Sequence, residues 1–282
     1  MNELTLAQAV ETFALTGVRF SDGALEKHWR WGSYDEGVRF AFFLTYQELR
    51  ELATRTAAQR AIQGPAITSA QRILAQHHIA YRDLCGLLVG VDEDELDREP
   101  AEGEWPLRVV LGHIIDAEQG FLSVIRYAID RERSGDGRPL EMPESEDDVG
   151  DDMEDEIDSS PETLKQILAN YDALHFQILY ELASISENEL RTPSAFWEDS
   201  QMEVRFRLHR FDAHLRQHTI QIAKTLAGIG HHPREAERLV RLIYEVLGEA
   251  EGARIGAWGT NADQWHDAAT IITKRATEIA KV

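Results

Sequence analysis

At 282 residues and 43% apolar side chains, the chain is long enough to bury a sizeable core and reads as globular. A net charge of −21 at pH 7 repels phosphate backbones and anionic lipid surfaces, so neither nucleic acid nor a membrane is an expected partner. One cysteine, Cys85, allows no internal disulfide. With no apolar stretch of about 18 residues and no basic-then-apolar start, the expected location is the cytoplasm.

Helical periodicity dominates, and strand-like alternation is scarce. A first helix is expected over 35–62, stopping before Gly64-Pro65. Thr68 or Ser69 caps a second, over about 68–89, which carries His77 and His78; adjacent helical residues point about 100° apart, so at most one of the two is expected to face inward. Pro106 opens a third over about 105–133, which Ser134-Gly-Asp-Gly-Arg-Pro139 breaks. Residues 141–158 follow with eleven Asp or Glu and no Lys or Arg, leaving −10 for the rest of the chain. Such a run cannot bury enough apolar surface to offset its ordering entropy, so it reads as a solvated crossover. Ser160-Pro161 begins a helix lasting to about Leu182, and further helices are expected over about 202–227, 233–250 and 261–281. The fold class is therefore all-α. A four-helix bundle at 65–230 is flanked by helical extensions at 1–64 and 231–282.

No Gly-rich phosphate loop, Gly-x-Ser-x-Gly elbow or Cys-x-x-Cys pair occurs, which leaves chemistry by histidines and carboxylates. His214 and His218 are four residues apart, one helical turn, so both imidazoles can converge on one ion. On a wheel centred on His218, the apolar stripe of Leu208, Phe211, Leu215, Ile222 and Leu226 falls between about +20° and +80°. His214 falls near −40° (about one turn up the same shoulder), beside Arg207 and Gln221, while His209 lies opposite. On the 105–133 helix, His113 takes the matching shoulder of the stripe formed by Leu107, Val110, Ile114, Phe121 and Ile125. Asp116 lies beside it and Gly120 leaves room one turn along, whereas Glu118 is about 140° away.

The segment Trp105-Pro-Leu-Arg-Val-Val-Leu-Gly-His113-Ile-Ile-Asp-Ala-Glu118 resembles the second bundle helix of the DinB/YfiT-like superfamily. His214-Leu-Arg-Gln-His218-Thr-Ile-Gln221 resembles its fourth. The resemblance covers about 65–230. It implies a metal-binding four-helix bundle whose ion sits on His113, His214 and His218, zinc or nickel being the expected metal. Relatives of this kind include mycothiol- and bacillithiol-dependent transferases and isomerases. The resemblance therefore implies a low-molecular-weight thiol as cofactor, with Arg207 and Arg216 the cationic side chains nearest the pair. A metal-dependent hydrolase is the alternative, with Asp116 or Gln221 assisting. A non-catalytic metal-binding stress or interaction protein is the third. An enzyme acting on a small molecule is expected, with a homodimer the assembly considered.

Overall fold

The computed structural model describes residues 5–143, 162–196 and 201–282. Most of the acidic run, from Glu144 on, lies outside the described residues, as do Ser160, Pro161 and Trp197. In chain order the elements are α1 (Leu6–Gly17), β1 (His28–Trp31), β2 (Tyr34–Gly37), α2 (Arg39–Gln63), α3 (Ser69–Leu88) and α4 (Leu107–Ser134). They continue with α5 (Leu164–Leu182), β3 (Pro193–Ser194), β4 (Met202–Glu203), α6 (Val204–Gly228), α7 (Glu235–Gly252) and α8 (Ala262–Ile279). The all-helical class read from the sequence holds, with strands confined to two short antiparallel pairs among the described residues. No helix among them is long and apolar enough to cross a membrane.

The chain divides into two compact units. The first is assembled from Met1–Ile67, Ala75–Val91 and His231–Val282; the second from Thr68–Leu74 and Asp92–Gly230. Helix α3 thus begins in the second unit and ends in the first.

In the first unit α1 packs against α8 and α2 against α7. Thr5 starts α1 with a reciprocal cap: its hydroxyl accepts from the Gln8 amide while the Gln8 side chain accepts from the Thr5 amide. Phe13 meets Phe42 edge-on at 5.2 Å, and Leu25, Leu49, Val240, Leu247 and Ile272 complete a closed apolar core. Each such buried side chain contributes about 1.5–3 kcal/mol of transfer free energy. Gly86 and Gly248 let α3 and α7 approach closely. A Cβ on Gly248 would lie 2.9 Å from the Ile79 Cα, and one on Gly86 would lie 2.9 Å from the Arg241 Cα. Where these helices meet, the Glu251 carboxylate accepts from the Arg82 guanidinium at 2.6 and 3.0 Å, and His78 Nε2 stands 2.9 Å from the same carboxylate. His77 and His78 are both buried, which corrects the expectation that at most one faces inward. A helix buried on more than one side has an inward arc wider than the 100° between neighbours.

The expected helix at 35–62 starts four residues late, at Arg39. Residues 34–37 are instead the return strand of a hairpin, with Trp31 paired to Tyr34 across Gly32, whose φ of 59° only glycine adopts without cost.

In the second unit α4 packs against α6 and α5. Helix α5 begins at Leu164 rather than at Ser160, because Thr163 and Gln166 form the capping box. Gly135, at φ 62°, terminates α4 in the left-handed conformation. The buried Arg131 donates to the carbonyls of Pro139, Leu140 and Pro193, binding the segment after α4 to β3. The β3–β4 pair leads directly into α6, and the Ser194 hydroxyl donates to the Met202 carbonyl at 2.8 Å. The start of α6, and with it the angular setting of its histidines, is fixed from both ends of that hairpin.

Candidate metal centre

All of the apolar residues predicted for the α4 and α6 stripes are buried, including Val110, Ile114 and Phe121 on one helix and Phe211, Leu215 and Ile222 on the other. Burying those stripes against each other leaves the shoulders of α4 and α6 side by side, and this brings His113, His214 and His218 together. One ring nitrogen from each lies within 4.8 Å of the others. The Nε2 atoms of His214 and His113 are 3.2 Å apart. Ring centroids are 4.3 Å apart for His214 and His218, 4.7 Å for His113 and His218, and 5.1 Å for His113 and His214.

Burial first, then the neighbouring imidazoles, set the protonation of the cluster. Burial holds His113 below the ordinary histidine value; His218 pushes the same way and Asp116 opposes. Burial, His218, His113 and Arg210 together push His214 down to about 4. At neutral pH both rings are therefore neutral and keep a lone pair. The 3.2 Å between the two Nε2 atoms fits one ring's N–H donating to the other's lone pair, and it also matches the separation of about 3.3 Å between two ligand atoms around a tetrahedral ion with bonds of roughly 2.0 Å. By distance and donor type the three residues fit a divalent cation.

Aromatic side chains surround the imidazoles. Trp105, although 44% exposed, lies with its ring 5.3 Å from His113. Phe121 meets His214 edge-on at 5.5 Å and packs against Phe196 at 6.5 Å and Phe211 at 5.6 Å. Among the described residues, a methyl group on Gly120 would touch only Phe196, at 3.8 Å, which leaves the room expected beside His113. Phe121 reads from the sequence as part of the apolar stripe, and Trp105 only as the start of the family-like segment. The available signal was position: Phe121 stands two turns after His113, and Trp105 directly before the helix.

The remaining candidates lie as follows. Asp116 is exposed overall, yet desolvation raises its carboxyl above the usual range, with His113 opposing. Gln221 places Oε1 2.8 Å from His218 Nδ1. Arg207 is buried with its Nε donating to Ser194 Oγ at 3.1 Å, roughly 10 Å along the axis from His214. Arg216 is exposed and paired with Asp212, about 160° around α6 from His214. His209 is exposed, and Glu118 is buried and accepts from the Tyr171 hydroxyl at 2.8 Å, away from the triad as the wheel placed it.

Helices that bring three imidazoles together, with no carboxylate or thiolate among them, define a helical protein with a candidate nitrogen-donor site. The chain belongs to the DinB superfamily, whose family model matches residues 76–222 and so spans all three histidines. Members of that superfamily often bind a metal. No curated protein matches the chain.

Proposed function

We propose that His113, His214 and His218 hold one divalent metal ion, zinc or nickel, and that the chain is a metal-dependent enzyme activating a small nucleophile, either a low-molecular-weight thiol or water. The observation that carries this reading is the pair of Nε2 atoms 3.2 Å apart on rings that burial keeps neutral. Three protein donors leave an ion an open position, the pattern of catalytic rather than structural sites. The ion would supply Lewis acidity, lowering the pKa of a thiol or water at that position. Trp105, Phe121 and Phe196 offer apolar faces to the substrate and exclude water around the imidazoles. Asp116, its carboxyl raised by desolvation, is the side chain placed to take a proton beside His113. Arg207 is engaged by Ser194 and Arg216 by Asp212, so neither expected cation is committed to a thiol cofactor, whereas the charge of Arg210 does reach His214. The same observation keeps a hydrolase as the second reading, with Asp116 beside the attacking water.

Metal analysis of the purified chain tests this. Close to one zinc or nickel per chain is expected, with a strong loss in His214→Ala and none in His209→Ala. Equal content in both variants would defeat the assignment.

A further inference from the structure

We propose that Gln221 is a positioning residue. Its side-chain amide oxygen fixes His218 in the tautomer that carries hydrogen on Nδ1 and leaves Nε2 bare toward His113 and His214. The inference deepens the metal reading above and rests on it for its functional meaning. The geometry itself is independent of any ion.

Gln221 follows His218 by three residues, so α6 alone sets the two side chains on one face. Oε1 stands 2.8 Å from Nδ1, a full hydrogen bond. His218 is buried, 6% exposed, so bulk water does not compete for that nitrogen. A neutral imidazole has one N–H and one lone pair, and the partner of the first decides where the second points. Amide oxygen on Nδ1 means N–H at Nδ1 and a lone pair at Nε2. The reversed amide would donate to Nδ1, place the hydrogen on Nε2 and leave no electron pair for a cation at the cluster. A carboxylate in this position would also fix the tautomer, but it would add a charge. The amide holds the ring while keeping the site's donors neutral.

The three imidazoles are not equivalent in this respect. The Nδ1 of His214 is buried with no hydrogen-bond partner. Of the His214 and His218 rings, His218 is the one whose Nδ1 a side-chain acceptor holds. This assigns Gln221 a role exercised through His218 rather than on a substrate.

The test uses the full chain with Gln221→Met, similar in length but without an acceptor, and Gln221→Glu, which restores one. In the metal-free protein, long-range nitrogen–proton NMR reads the His218 tautomer. The wild type is expected to show hydrogen on Nδ1, Gln221→Met a mixture or the Nε2–H form, and Gln221→Glu the wild-type pattern. Zinc affinity, measured by chelator competition, should fall about 10–100-fold in Gln221→Met and recover in Gln221→Glu. Circular dichroism of both variants checks that the helices persist. An unchanged tautomer in Gln221→Met overturns the proposal, as does a Gln221→Glu variant that behaves like Gln221→Met. If His214→Ala loses zinc while both Gln221 variants match the wild type, the metal centre stands and the positioning role fails. If the wild type takes up no zinc but the tautomer follows the side chain at 221, the positioning role stands and the metal reading fails.

Discussion

Both units bury polar side chains between helices, and they do so in opposite ways. Between α3 and α7 the first unit sets a guanidinium and a histidine against one carboxylate. Burial alone would raise Glu251, but Arg82 and His78 outweigh it and hold its pKa at about 2. Burial opposes the charge on Arg82 as well, and Glu251 keeps it firmly protonated. Between α4 and α6 the second unit brings three imidazoles together, with no carboxylate among the converging atoms. Asp116 favours a proton on His113, but burial and the neighbouring imidazole outweigh it, and His113 and His214 give theirs up. A buried cluster whose charges cancel closes on itself and specifies packing. A partly buried cluster of like donors could take a cation. The comparison separates structure from site without reference to any relative.

The sharpest way to break this comparison is to remove the carboxylate from the closed cluster. Glu251→Ala leaves a buried guanidinium without its acid and should cost about 3–5 kcal/mol in chemical denaturation. Zinc content should be unchanged. Loss of zinc in that variant would show that the two clusters are not separable.

A smaller effect distinguishes the helix contacts themselves. At Gly248 an added Cβ meets backbone at 2.9 Å, so Gly248→Ala should destabilise by about 1–3 kcal/mol through overpacking, less the helix-propensity gain. At Gly112, next to His113, an added Cβ meets nothing within 4 Å, so Gly112→Ala should gain up to about 1 kcal/mol. The same substitution with opposite signs, read by thermal melts, would mark one seam as closed and the other as open.

A further separation of the two clusters lies in pH. In the metal-free chain His214 titrates near 4 folded, against roughly 6.5 unfolded. The unfolded state then binds the extra proton first, so stability falls as pH drops through about 6.5 and levels off near 4. Glu251, at about 2 folded, contributes stability that is present above the unfolded carboxylate value and lost as pH falls toward 2. Subtracting the His214→Ala profile from the wild type should isolate the upper window, and subtracting Glu251→Gln the lower one. A single shared window would contradict the assignment of two independent clusters.

How much of this was legible in the sequence follows from what each feature depends on. The stripes on α4 and α6 and the shoulder position of His113, His214 and His218 are properties of one helix at a time, and a wheel finds them. The same holds for Gln221, one turn after His218. What depends on another segment was hidden. Helix α1 went unread although Thr5 and Gln8 carry its cap, because its apolar face makes sense only against α8. The start of α2 depends on the hairpin before it, and that hairpin depends on the single residue Gly32. The burial of both His77 and His78 was missed for a related reason: a wheel assumes one inward face, and α3 has more. Phe121 and Trp105 look like core residues until the imidazoles beside them are placed.

The split course of α3 and the partnership of α1 with α8 also set an order of assembly on the ribosome. Residues 68–230 contain every piece of the second unit, so it can close while synthesis continues. Helix α1 emerges near the start and must wait for residues 262–279 before its apolar face is covered. Until then Phe13, Phe42 and Leu49 are available to any other apolar surface, which makes the nascent first unit the part of the chain most in need of protection from aggregation.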